Sequence, residues 1–137
     1  MESAGYLVNH IARLFADGLR KRVEPLGIVP GQFPALLELW IEDGQTQKQL
    51  VEKLDIEQAT LANTLSRMER DGLIVRAAHP KDGRAKVITL TPKAIAIRDD
   101  AYAAANETNA AAMAALTPDE QALFVQFMSR MIKAMKA

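Results

Sequence analysis

Ala59, Asn63, Ser66, Arg67 and Arg70 fall on one side of a helical wheel, while Leu61, Leu65 and Met68, at i, i+4 and i+7, fall on the other. The first set is small, polar and basic. Asparagine pairs bidentately with adenine and arginine with guanine in a major groove, and small neighbours let a helix approach the bases. Gln58 and Thr60 stand at the start of the same run, where residues reach base edges when such a helix docks. Arg84 and Lys86 follow after a break, with Asp82 two residues before Arg84. The chemistry implied is recognition by hydrogen bonds and charge. Bond-making has no constellation here: Ser66 has no histidine within a turn, and no glycine loop cradles phosphate. His10 and His79 lie far apart without a second ligand at metal spacing, so neither a metal centre nor a cofactor is expected.

The elements that position these residues read without a gap from 46 to 90. Thr46 and Gln49 form a capping box that opens a short helix with Leu50, Val51 and Leu54 on one edge. Asp55 and Ile56 form a turn, and the recognition run follows as a second helix, stopped by Gly72 with Arg70 in its last turn. Leu73 to Ala78 and Ala85 to Leu90 read as two strands joined by His79-Pro80-Lys81-Asp82-Gly83-Arg84, whose proline and glycine make a loop. This order is a winged helix-turn-helix.

Leu54, the run Thr60 to Arg67, Met68-Glu69-Arg70-Asp71-Gly72-Leu73-Ile74, Pro80-x-Asp82-x-Arg84 and Leu90-Thr91 together resemble the MarR family of bacterial transcriptional regulators. The resemblance extends over nearly the whole chain and is most specific in the Asp-x-Arg wing combined with Gly-Leu-Ile. It implies that 58 to 67 enter the major groove, that Arg84 reaches the minor groove or its phosphates, and that Asp82 braces Arg84. Two positions depart from the family pattern. Glu57 stands where a serine-like cap is common, and Asn63 stands where many members carry arginine, so no operator sequence can be carried over.

At 137 residues, 49% hydrophobic and 25% charged, the chain has the size and composition of one folded domain, 1–137. Its formal net charge is zero, so affinity for DNA must come from local placement. Between Glu57 and Lys86 six cations (Arg67, Arg70, Arg76, Lys81, Arg84, Lys86) face four anions (Glu57, Glu69, Asp71, Asp82). There are no cysteines, which excludes disulfides and the thiol-oxidation sensing that some MarR proteins use. The N-terminus reads as neither signal peptide nor membrane span, so a cytoplasmic protein with no membrane partner is expected.

Outside the winged lobe, residues 29–91, the chain is helical. Leu7, Ile11, Leu14, Phe15, Leu19 and Val23 mark a helix from 4 to about 24, ended by Pro25 and Gly27. Phe33 to Ile41 gives another, starting from about Gln32 and stopping at Asp43-Gly44. Thr91-Pro92 starts an alanine-rich segment expected as one long helix ending near Leu116, and Thr117-Pro118-Asp119-Glu120 starts a last helix. The apolar faces of 1–28 and 92–137 are wider than one partner helix needs. They imply dimerisation helices and a two-fold homodimer that meets successive major grooves of a pseudo-palindrome. The expected fold is mainly α with a small β-hairpin wing.

Resemblance to ligand-responsive members suggests a small-molecule pocket between the dimer helices and the DNA-binding lobe, with His10, Arg13, Phe33, Leu37 and Trp40 as its candidates; by residue type alone Phe33, Leu37 and Trp40 read as core first, His10 as packing and Arg13 as a surface charge. Together these features predict a dimeric, sequence-specific DNA-binding repressor released by a small aromatic or phenolic effector. The rival reading is a winged helix that docks a protein instead of DNA.

Overall fold

The computed structural model describes residues 3–137. Met1 and Glu2, which open the expected N-terminal segment, lie outside the described residues. In chain order the elements are α1 (Ala4–Val23), α2 (Phe33–Ile41), β1 (Gln45–Thr46), α3 (Gln47–Leu54), α4 (Gln58–Arg70), β2 (Ile74–Ala78), β3 (Lys86–Leu90), α5 (Pro92–Ala96), α6 (Arg98–Met113) and α7 (Pro118–Lys136). Single 3-10 turns at Glu24–Leu26 and Pro30–Gln32 link α1 to α2, with Gly27 between them at φ 79°, a conformation that glycine adopts without a Cβ clash. The expected fold class holds: mostly helix, with a small antiparallel wing.

The sheet has three strands where the sequence predicts two. β1 pairs antiparallel with β3 (Gln45 with Ile88, Thr46 with Val87), and β2 pairs with β3 from Ile74 and Leu90 to Ala78 and Lys86. A two-residue strand carries no alternation, so only its partner defines it. Gln45 is buried, and its side-chain amide donates to the Glu38 and Glu42 carbonyls at 3.0 and 2.7 Å, which closes the end of α2 on the sheet.

The core lies inside the winged lobe. Leu36 and Leu39 of α2, Leu50 of α3, Leu61 and Leu65 of α4 and Ile88 of β3 are fully buried together. Full burial of such side chains contributes about 1.5–3 kcal/mol each. The lobe therefore offers a rigid platform on which α4 is set.

The long helix expected after Thr91 is interrupted. Thr91 caps α5 by accepting from the Ala94 amide at 3.3 Å, but the helix stops at Ile97 (φ −92°, ψ 0°) and α6 resumes at Arg98. In an unbroken helix the Ala94 carbonyl would accept from the amide of Arg98. Here the Trp40 indole N–H donates to it at 3.0 Å, and Ile97 packs against the core. Beyond the break, Ala101, Ala104 and Thr108 are buried against α1, where a Cβ built on Gly18 would meet Thr108 at 3.4 Å. The alanine run serves close helix approach. α7, by contrast, buries none of its residues.

Candidate nucleic-acid interface

α4 is aimed by its two ends. At its start, the Thr46–Gln49 capping box fixes α3: the Thr46 hydroxyl accepts from the Gln49 amide at 3.1 Å, and the Gln49 side chain accepts from the Thr46 amide at 2.8 Å. Asp55 ends α3 at φ 54°, the left-handed region that Asp tolerates better than most residues, and so makes the sharp turn into α4. At its finish, Gly72 (φ 76°) allows the Leu73 amide to reach the Met68 carbonyl at 2.9 Å and its own amide to reach the Glu69 carbonyl at 3.1 Å. This double closure is a Schellman motif, which only a residue free to take positive φ forms cheaply.

The C-terminal end of α4 is also tied to the rest of the molecule. The Asp71 carboxylate accepts from the buried Gln32 side chain at 2.9 Å and from Arg70 Nε at 3.1 Å. Arg70 first, then Gln32, holds the Asp71 carboxyl below the ordinary aspartate range. Lys93 donates to the Asp71 carbonyl at 2.9 Å and the Thr91 hydroxyl to the Gly72 carbonyl at 2.6 Å, so α5 grips the same corner.

With Leu61, Leu65 and Met68 buried, Gln58, Ala59, Thr60, Asn63, Ser66, Arg67 and Arg70 are all exposed on the outward side. Among the described residues, Asn63 and Arg67 have no side-chain hydrogen bond or ion pair, so their donors face solvent. Glu57 caps α4 by backbone conformation only, since its carboxylate takes no amide of the first turn.

The wing is folded by a residue for which the sequence suggested no role. His79 Nδ1 accepts from the amides of Lys81 at 3.0 Å and Asp82 at 3.3 Å, and the His79 amide donates to the Ala85 carbonyl at 2.9 Å. The ring acts as an Asx side chain does at a turn. Asp82 accepts from the Arg84 amide at 3.1 Å, with Arg84 Nε at 3.6 Å, and the Arg84 side chain remains 96% exposed. Asp82 thus fixes the Arg84 backbone more than its guanidinium. Between the wing and the start of α3 and α4 lies a groove of about 600 Å³ lined by Thr46, Gln47, Lys48, Gln58, Arg84 and Lys86. Gln47 and Lys48 were not singled out from the sequence, although they directly follow the Thr46 cap.

Arg76, which the sequence shows only as a charge, joins β2 to α4. Its guanidinium donates to Glu69 at 3.1 Å and to the Ser66 hydroxyl at 3.2 Å, and its amide donates to the other Glu69 oxygen at 3.2 Å. The guanidinium hydrogen bond is the main reason the Glu69 carboxyl lies below the usual glutamate range.

The five residues considered for a small-molecule pocket divide between two places. His10 and Arg13 line a shallow depression of about 580 Å³ with Leu14, Asp17, Arg20 and Pro30. Phe33 is buried in the core, with Leu37 and Trp40 packed against it. Trp40 stacks edge-on with Phe33 and with Tyr102 of α6, ring centres 6.0 and 5.6 Å apart. The depression at His10 and Arg13 includes neither Phe33, Leu37 nor Trp40.

A short helix, a tight turn, an exposed polar helix and a pinned hairpin define a winged helix-turn-helix protein. The MarR family model matches residues 28–86. The chain is 35% identical over 96 residues to the organic hydroperoxide resistance transcriptional regulator of Bacillus subtilis, a match covering 70% of this chain and 65% of that protein. It spans less than two thirds of the length of the curated relatives it matches. Its fold matches the PcaV transcriptional regulator of Streptomyces coelicolor in complex with its natural ligand, with TM-score 0.88, 25% identity and coverage of 98% of this chain and 94% of that one. It also matches reduced AbfR bound to DNA, with TM-score 0.78, 26% identity and coverage of 96% and 91%. The chain thus matches the MarR family over residues 28–86 and shares the fold of a MarR transcriptional regulator from Methanosarcina mazei across 95% of its length.

Proposed function

We propose that this chain is a sequence-specific transcriptional regulator that binds double-stranded DNA as a homodimer. Residues 29–91 form the reading lobe, and 1–28 with 92–137 form the dimerisation helices. The observation that carries the reading is the pairing of two exposed donor sets, Asn63 with Arg67 on the outward side of α4 and the 96%-exposed Arg84 at the wing, whose tip borders a groove also lined by Gln58 at the start of α4, Lys48 and Lys86. One helix in the major groove and a cationic tip beside it suit base readout together with phosphate or minor-groove contact. A structural neighbour bound to DNA supports the same docking.

Dimerisation is supported by α1 and α7, whose Leu14, Val125, Met131 and Ile132 are each half or more exposed. In this reading the protein is a cytoplasmic repressor, and a small aromatic or phenolic effector binds between the lobes to one dimer conformation better than the other. A ligand-bound relative supports this, and the second copy would complete the depression at His10 and Arg13. Among the described residues, no helix is long and apolar enough to cross a membrane.

The test is fluorescence anisotropy on the DNA upstream of the protein's own gene and on scrambled DNA across a salt series. Tight, steeply salt-dependent binding to the first alone supports the reading, because phosphate contacts release counterions. Binding to neither, with capture of a protein through α4 and the wing, would overturn it. Arg67→Ala costs about 1–3 kcal/mol and relaxes base preference, whereas Arg84→Ala weakens all sequences more evenly. Equal loss at every sequence for both variants would remove Arg67 from base readout.

A further inference from the structure

A hydroxyl group carries one proton to donate and two lone pairs to accept with. On a helix the proton commonly goes to the carbonyl four residues back. Thr64, Thr108 and Ser129 do this, donating to Thr60, Ala104 and Val125 at 3.0, 2.8 and 2.9 Å. Ser66 does not. Its oxygen accepts from Arg76 Nη2 at 3.2 Å, and among the described residues its proton has no acceptor. Ser66 lies one position before Arg67 on the exposed side of α4.

The donor that fills one of the Ser66 lone pairs is itself held from two directions. Glu69 takes the Arg76 guanidinium with one oxygen and the Arg76 amide with the other, at 3.1 and 3.2 Å. The Arg76 backbone is fixed again by its register opposite Ile88 in the sheet. Its side chain is only 25% exposed, and its charge is matched by Glu69, so it adds little net attraction for phosphate. Its effect on a ligand is directional: while Arg76 occupies the oxygen, the free proton points away from it.

We propose that Arg76 is a positioning residue that, by filling one Ser66 lone pair, turns the Ser66 proton outward as a hydrogen-bond donor to the DNA, where it meets an acceptor on the duplex. This rests on the DNA-binding reading above. The acceptor is a base-edge atom in the major groove, such as purine N7, guanine O6 or thymine O4, or a phosphate oxygen. Arg67 and Arg84 supply charge and fork geometry, whereas Arg76 acts only through Ser66.

The experiment uses the full chain and a duplex that the wild-type protein enriches from a random-sequence pool. Affinities are measured for wild type, Ser66→Ala, Arg76→Met, the double variant and Arg76→Lys, at a temperature where melting curves show all to be folded. Each single change to Ala or Met is expected to weaken binding about 2- to 10-fold, the range for one hydrogen bond. The double variant should bind no more weakly than the worse single, and Arg76→Lys, which keeps a cationic donor, should recover part of the loss.

Single base-pair and 7-deazapurine replacements then locate the acceptor. If Ser66→Ala removes discrimination at one step of each half-site, the partner is a base edge; if it weakens every duplex equally, the partner is a phosphate. Multiplying losses, or a silent Ser66→Ala beside a weak Arg76→Met, would overturn the proposal and leave DNA binding intact. Failure of the wild-type chain to enrich or bind any duplex would remove both readings.

Discussion

In the winged lobe, Leu36, Leu50, Leu61, Leu65 and Ile88 are sealed from solvent, whereas Leu14 on α1 and Met131, Ile132 and Met135 on α7 are half or more exposed. Both regions are amphipathic, but they stand differently toward their own chain. The lobe finds most of its partners within its own residues, including the hydrogen bonds that close α2 and α3, and α5 adds ties at Asp71 and Trp40. Past its first two turns, α7 presents apolar side chains to solvent, with Phe124 only half-buried and Gln121 donating back to the Met113 and Leu116 carbonyls at 3.0 and 3.1 Å. Contiguous exposed apolar surface of this kind marks an association site. One part of the sequence therefore closes on itself, and the other leaves the surface on which the proposed dimer rests.

The sharpest break in that comparison comes from one substitution in each region. Leu65→Ala removes a fully buried side chain from the centre of α4 and costs about 2–5 kcal/mol of stability. Chemical denaturation should show that loss undiminished as protein concentration rises. Ile132→Asp, on the 59%-exposed α7 position, should leave the lobe's circular dichroism unchanged while raising the dimer dissociation constant at least about tenfold by sedimentation. Unchanged association in Ile132→Asp would mean that α7 is not the assembly face.

What could be read from the sequence follows the same division. The caps at Thr46, Thr91 and Thr117, the stop at Gly72 and the buried stripe of α4 depend on neighbours within a few residues, so residue types announce them. The wide faces of the terminal helices were legible for the same reason. β1, the break at Ile97 and the roles of Arg76 and His79 were not. β1 exists only opposite Ile88 and Val87, and the break follows Trp40, 54 positions away in sequence, taking the Ala94 carbonyl. Arg76 was visible as a cation, but only the packing of β2 on α4 shows that its charge is spent on Glu69 and its direction on Ser66. Phe33 in the core and Arg13 on the surface stand where their residue types alone put them.

The corner at Asp71 joins the two regions, since α2, α4 and α5 meet there, and pH probes it. Its carboxyl is depressed in the folded protein, so its contribution is present above the unfolded aspartate value of about 3.9 and is lost as pH falls through the lower folded value. Asp71→Asn keeps an oxygen for Gln32 but cannot titrate. The melting-temperature gap between wild type and Asp71→Asn should be widest near neutrality and close below about pH 4. A gap independent of pH would mean that the corner is held by shape alone, without its charge.

The smallest effect separates folding from recognition at one residue. Glu57 has N-cap backbone geometry, φ −67° and ψ 144°, but its side chain makes no cap bond. Glu57→Asp supplies a shorter carboxylate that can accept from the Ala59 or Thr60 amide while keeping a negative charge at the helix start, worth about 0.5–1 kcal/mol of stability. Glu57→Ser supplies the cap but loses that favourable charge, so its stability should move by less. For DNA the order reverses. Serine removes a carboxylate from beside the phosphates, so affinity should rise at low salt and converge with wild type as salt screens the difference. Aspartate should leave affinity near wild type. Should the two variants bind DNA equally well, the start of α4 does not face phosphate, and the docking of 58 to 67 in the major groove would have to be redrawn.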